Sequence, residues 1–280
     1  MQKDRMNTKE TSFANIARHA MMAESMNIHG TYHMECLDAD GNLKWEDDVL
    51  NVITLAGVNY MLDNFITGSG FTQVGPYMGL ISSVSWAPLS TTLASLTSYT
   101  SGTGIVSLGT TAAHGLGVGD SFTINSPTGT GTNYLSLAGT FTATAGTTGS
   151  TLNFFVGTGL TITTVTGGAL TTNSASRKAD TMGSHGLWLE AGSTNAPTFA
   201  ARIAPAWSAS SAGVKSTSSA VSFTMTAGGT LEGCFIVLGT SAVATLMSTA
   251  GTLFSAGAFS AGAKLVSATD VVNVSYSVGV

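Results

Sequence analysis

Charge is what this chain has least of: Asp, Glu, Lys and Arg make up 9% of its 280 residues, where an ordinary soluble domain carries roughly 25%. A coiled coil or helical bundle needs Ala, Leu, Glu and Lys at heptad or 3.6-residue spacing, so that class is excluded. Basic residues number 10 against 15 acidic ones, the net charge is -5, and no Lys or Arg cluster exists. Nothing can therefore neutralise a run of phosphates, and nucleic acid is not expected as a partner. Long apolar runs are also missing. The longest, Cys234 to Met247, is broken by Gly, Thr and Ser and falls short of the about 20 residues of a membrane-spanning helix. Met1 to Phe13 is polar and mixed in charge, unlike a secretion signal or transit peptide. The expectation is a protein with no membrane partner, made and used without translocation. The two cysteines, Cys36 and Cys234, lie far apart inside β-like runs, which reads as two buried free thiols rather than a disulfide.

What replaces charge is small and uncharged: 34 Gly, 42 Thr and 33 Ser. The few charges are unevenly placed, with 14 of the 25 in residues 1–50 and one, Asp120, between Thr91 and Ser176. That step divides the chain into an N-terminal arm (1–26), a body in two pieces (27–90 and 177–280) and an inserted Ser/Thr/Gly-rich unit (91–176). The arm carries Phe13, Ile16, Ala17, Ala20 and Met21 at helical spacing, one narrow apolar stripe with no partner stripe beside it. It reads either as a frayed terminus or as an arm that orders on a neighbouring subunit.

In the body, Tyr32, Met34 and Cys36 alternate with His33 and Glu35, Asp38 to Asn42 turns the chain, and Leu43 and Trp45 alternate with Lys44 and Glu46. Asp-Gly between two period-2 runs predicts a hairpin. A calcium loop beginning at Asp38 fails, because its sixth and twelfth positions are Leu43 and Val49 instead of Gly and Glu. Thr54 reads as a helix N-cap before Leu55, Val58, Met61, Leu62, Phe65 and Ile66, with Gly68 as the stop. A strand is expected over Tyr77 to Trp86. The inserted unit offers five short strands, at Gly104 to Leu108, Ser121 to Ile124, Thr140 to Thr144, Leu152 to Val156 and Leu160 to Val165, which implies a small sandwich or barrel. Val272, Val274, Tyr276, Val278 and Val280 alternate with Asn273, Ser275, Ser277 and Gly279 in the clearest strand of all.

No nucleophile elbow, P-loop, His-Glu-x-x-His, Cys-x-x-Cys or dinucleotide-binding glycine pattern occurs. His29 with His33, and His114 with Asp120, are too few for a metal set. Glu35, Glu46, Asp47 and Asp48 are expected to crowd one exposed turn region rather than opposing strands, so they read as a solvated acidic face. No catalytic, cofactor-binding or metal-binding residue is assigned, no cofactor is expected, and the chain is read as not an enzyme.

Three stretches resemble a family of tailed-bacteriophage virion proteins encoded among head and tail structural genes. They are Glu35 to Asp47 with Asn51 to Leu62; Asp180 to Glu190, including His185 and Trp188; and Leu231 to Phe235 with Leu253 to Gly257 and Asp270 to Tyr276. Within the inserted unit, His114-Gly115-Leu116 followed by Gly119 to Ile124 resembles a small β module of phage head and tail proteins. The resemblance implies an all-β protein with a jelly-roll-like β-sandwich body, one short helix and an inserted small β-sandwich or barrel domain that projects outward. It implies a capsid decoration or cement protein, a homotrimer on the virion's capsid surface assembled in the host cytoplasm, with the major capsid protein as partner and Phe13, Ile16 and Met21 as the anchors of a capsid-binding arm. The competing expectation is a tail-fibre, baseplate or receptor-binding component whose inserted domain meets host surface glycan. In that unit only Tyr99 and Tyr134 are candidate sugar platforms. A hydrolase is disfavoured because Asp120 has no second carboxylate in its unit.

Overall fold

The computed structural model describes residues 28–67, 74–87, 90–172 and 177–279. The arm, with Phe13, Ile16 and Met21, and the helix stop at Gly68 lie outside the described residues. The chain is all-β, as expected, with one α-helix among the described residues.

β1 (His29–Leu37) and β2 (Leu43–Ile53) form the hairpin. Its turn is tied by Asp38, whose Oδ1 accepts the N–H groups of Asp40 at 2.9 Å and Asn42 at 2.8 Å, the side-chain-to-backbone habit that makes Asp a turn residue. Tyr32, Met34 and Cys36 are buried, as their alternation requires. A register shift between Cys36 and Leu37 breaks the pattern beyond them, so Leu43 is 54% exposed instead of facing the core. Helix α1 (Leu55–Thr67) starts where Thr54 caps it: Thr54 Oγ1 accepts the Gly57 N–H at 3.0 Å and donates to the Leu253 carbonyl. β3 (Tyr77–Ser82) is shorter than expected, because the Ser82 hydroxyl accepts the Val84 N–H at 3.0 Å and turns the chain before Trp86.

Six strands follow: β4 (Ser90–Thr100), β5 (Ile105–Thr110), β6 (Ser121–Thr130), β7 (Gly139–Thr142), β8 (Thr151–Phe155) and β9 (Thr164–Thr171). All pairs are antiparallel, in the order β7-β6-β9-β4-β5-β8, and a bridge from Ala143 to Phe154 brings the last strand back toward the first. The result is a small, nearly closed barrel whose interior is filled by side chains such as Leu93, Val106, Phe122, Leu152, Phe154 and Leu170. Three of its strands differ most from expectation. β6 runs on to Thr130 instead of ending at Ile124, still paired with β9. β4 was not anticipated: it is mostly Ser and Thr, and two register shifts against β5 destroy any period of two. β9 starts at Thr164 rather than Leu160 and carries Gly167 and Gly168 opposite irregular pairing in β6.

The chain then returns with β10 (Leu189–Glu190), β11 (Val214–Ser216), β12 (Val221–Thr224), β13 (Gly229–Leu238), β14 (Thr252–Ala258), β15 (Lys264–Val266) and β16 (Val271–Gly279). The body sheet runs β10-β3-β13-β14-β2-β1-β16-β11, with β12 also on β16 and β15 also on β13. β13 is buried on both faces. Cys234, Ile236 and Leu238 enter the main core beside Tyr32, Met34 and Tyr276, while Phe235 and Val237 pack with Trp188 and Leu253 in a second cluster. That two-sided burial is why β13 reads as an apolar run and β16, with one face buried, as an alternation. Helix α1 lies against β14 at Gly57, where a Cβ would come within 2.6 Å of the Phe254 carbonyl oxygen.

Candidate functional site

Asp120, alone in charge within its stretch of sequence, is 4% exposed where the barrel meets the body. It ends a tight loop: its N–H donates to the Gly117 carbonyl at 3.1 Å, and its Oδ2 accepts the Gly117 N–H at 2.7 Å. Its Oδ1 accepts the backbone N–H of Lys178 at 2.6 Å, a residue of the strap 177–180 that leads back into the body. The strap is itself tied at both ends. Arg177 Nη1 donates to the Gly115 carbonyl at 2.8 Å, the Asp180 carboxylate accepts the Arg177 N–H at 2.9 Å, and the Lys178 carbonyl accepts the Leu55 N–H of α1 at 2.7 Å. Gly115 adopts φ +59°, and a Cβ there would come within 1.8 Å of Arg177 Nη1, so glycine makes room for the guanidinium.

Burial pushes the Asp120 carboxyl above the usual carboxylate range, the backbone N–H groups of Lys178 and Gly117 pulling the other way. His114, buried in the same loop with its Nδ1 accepting the Leu116 N–H at 3.0 Å, is pushed below the usual imidazole range by burial. Clefts open on either side of the joint. One of about 450 Å³ is lined by His29, Leu55, Asp120, Arg177 and Lys178, and another of about 410 Å³ by Asp48, Leu50, Phe122 and Ala258; Asn51, Val52, Ser121 and Thr172 line both. Both Asp120 oxygens are engaged by backbone N–H groups, which suits fastening better than proton transfer.

The other residues singled out in the sequence do not converge. His33 is bonded to Asp48 at 2.8 Å on the exposed side of the hairpin, while His29 stands at the first cleft. Contrary to expectation the acids lie on opposing strands, Glu35 of β1 directly across from Glu46 of β2, because the turn is confined to Asp38 to Asn42; Glu35 accepts from Asn273 Nδ2 at 2.9 Å and Asp47 pairs with Lys264 at 2.8 Å, so these two have separate partners. His185 stacks on Trp188 at 3.8 Å, and Trp188 is 1% exposed in the second core cluster. Among the described residues, no three His, Cys, Asp or Glu side chains are placed to hold a metal ion, and no helix is long and apolar enough to cross a membrane.

Sequence reading missed two constellations. One is the strap's role at Asp120, whose only signal was the isolation of that charge. The other is Glu190 with Arg202, a bidentate pair at 2.7 and 2.8 Å buried in the body, for which the sequence carries no spacing signal. Compared with protein-family models, curated proteins and solved structures, the chain matches none.

Proposed function

We propose that the protein is a non-enzymatic capsid decoration protein of a tailed bacteriophage, which binds the major capsid protein and stabilises the shell with the barrel projecting outward. The observation that carries this reading is the outer surface of the barrel. Its strands β7, β6 and β9 present threonine pairs that bond each other across the sheet, Thr123 with Thr140 at 2.9 Å, Thr128 with Thr166 at 3.2 Å and Thr130 with Thr164 at 2.7 Å. Thr128, Thr130, Thr140, Thr164 and Thr166 are exposed and Thr123 is half-buried, while Asp120, the one charge in the stretch, is buried at the joint. Copies with such surfaces can stand side by side in a dense symmetric array without charge repulsion. The three resembling stretches supply the family context, and the apolar stripe of the arm supplies an attachment point. A homotrimer fits a closed symmetric assembly.

Copy number per purified virion, measured by quantitative mass spectrometry, tests the proposal. On the order of hundreds of copies fits the icosahedral shell, and about a dozen fits the tail and refutes decoration. Deleting residues 1–26 is expected to abolish capsid binding and leave the body's tryptophan fluorescence unchanged; retained binding removes the arm's assigned role.

A second reading, a receptor-binding component that meets host surface glycan, draws on one feature. Tyr99 and Tyr134 belong to the end of the barrel opposite the joint, where Phe155 is 55% exposed. The exposed Phe155 ring, beside Tyr99 and Tyr134 that are half-buried against the barrel core, suits neutral sugar on an uncharged tip. Binding of the full chain to a host glycan array, lost on Phe155→Ala, is the result this reading requires.

A further inference from the structure

We infer that Asp120 is a latch that holds the barrel in one orientation on the body, so that the barrel is a fixed projection instead of a swinging one. The inference is independent of what the protein binds.

Apolar packing does not do this work. Among the described residues, the body's two clusters and the barrel's cluster share no residue, and none draws side chains from both units. Where the units meet, the same four residues line clefts on both sides, so little material lies between. Non-directional burial, which fixes most element pairs, is thin here.

Directional contacts take its place, and they converge on the strap. The Lys178 N–H goes to Asp120 of the barrel, and the Lys178 carbonyl receives the Leu55 N–H. Leu55 is the first residue of α1, and an N–H at that position has no partner within its own helix. One residue thus joins the barrel loop to the helix N-terminus through its two backbone groups, which fixes position more tightly than contacts between long side chains. The Arg177 guanidinium adds a second tie, to Gly115. Asp180 holds the strap in shape by accepting the Arg177 N–H, while its own N–H donates to the Arg177 carbonyl at 3.0 Å.

The residue type follows from the task. Position 120 must accept from Gly117 within the loop and from Lys178 across the joint. A carboxylate offers two acceptor oxygens, whereas an amide offers one and a hydroxyl must also place its proton. This accounts for a unit otherwise free of charge keeping a single charged side chain and burying it.

The test uses the full chain with spin labels on Thr103→Cys in the barrel and Ala263→Cys in the body, both exposed positions, the native thiols being buried. Pulsed dipolar spectroscopy is expected to give one narrow distance distribution, which Asp120→Ala broadens at least twofold while the circular dichroism of the barrel is retained. A narrow distribution in folded Asp120→Ala, or a broad one in the unsubstituted chain, overturns the inference. Should Asp120→Ala unfold the barrel, Lys178→Pro decides, since it removes from outside the barrel the one N–H that Asp120 Oδ1 accepts: broadening supports the latch and an unchanged width overturns it.

Discussion

Replacing Arg202 by Met should destabilise the body far more than replacing Arg202 and Glu190 together. Arg202 is 2% and Glu190 3% exposed. The guanidinium donates to both Glu190 oxygens, to the Ser248 carbonyl at 2.7 Å and to the Val243 carbonyl at 3.3 Å, and lies 5.4 Å over the Phe235 ring. Arg202→Met keeps most of the volume but leaves the Glu190 carboxylate buried with the Met247 N–H, at 2.7 Å, as its remaining hydrogen-bond partner. Removing one member of a buried ion pair costs about 3–5 kcal/mol, mainly through the uncompensated charge. In Arg202→Met/Glu190→Met that charge is gone. What is lost is the pairing of the Met247 N–H and of the carbonyls of Val243 and Ser248, which relaxation toward water reduces to about 1–3 kcal/mol in all. The double variant should therefore be the more stable of the two, a non-additivity that only direct coupling produces. Urea titration followed by tryptophan fluorescence is the assay, because Trp45, Trp86, Trp188 and Trp207 all belong to the body. With a slope of about 2 kcal/mol per molar urea, the single variant's midpoint should fall by about 2 M. A single variant within about 0.5 M of the parent, or a double variant below the single, would refute the reasoning.

Three further outcomes can be measured on the same protein. Asp120, facing Arg177, Lys178, Asp180 and His114, is held above the usual carboxylate range by burial, so the folded state keeps a proton that an unfolded Asp loses near pH 3.9. Stability must then fall as pH rises through the window between the two values, and urea midpoints for Asp120→Asn should lack that slope; an identical slope would count against it. Phe154, fully buried between Phe122 at 5.2 Å and Phe141 at 4.7 Å, should cost the barrel about 3–5 kcal/mol when cut to Ala. Far-ultraviolet circular dichroism should show that loss while the tryptophan transition of the body stays in place, and a parallel shift of both would mean that the units unfold as one. Cys36, pushed up to about 12 chiefly by burial, and Cys234, pushed well up by burial, are fully buried thiols. Maleimide should label neither in the native protein at about pH 8, and stability should decline as pH rises past the thiol range, about 8.5, of the unfolded chain; rapid native labelling contradicts both statements.

Legibility in the sequence tracked how local the cause was. The hairpin at Asp38 to Asn42 and the helix start at Thr54 were readable because turn and cap chemistry is complete within four residues. β16 was readable because one face is buried and the other is not. β4 was hidden, since its register shifts twice and hydroxyl side chains serve both faces. The end of β3 was misplaced because a single serine hydroxyl, not the apolar pattern, turns the chain. At the joint, the isolation of Asp120 was visible from the start, while its partner at Lys178 is 58 residues away and is engaged through its backbone, which no side-chain pattern can announce.

By itself the sequence determined the all-β class and the burial of both thiols, because composition and period-2 alternation act residue by residue. Only the tertiary structure decided that the inserted strands curl into a nearly closed barrel, that Glu190 and Arg202 meet, and that Asp120 fastens one unit to the other. Each of these depends on which distant backbone groups remain unpaired when the sheets have formed, and hydrogen-bond partners of that kind are assigned by geometry in three dimensions.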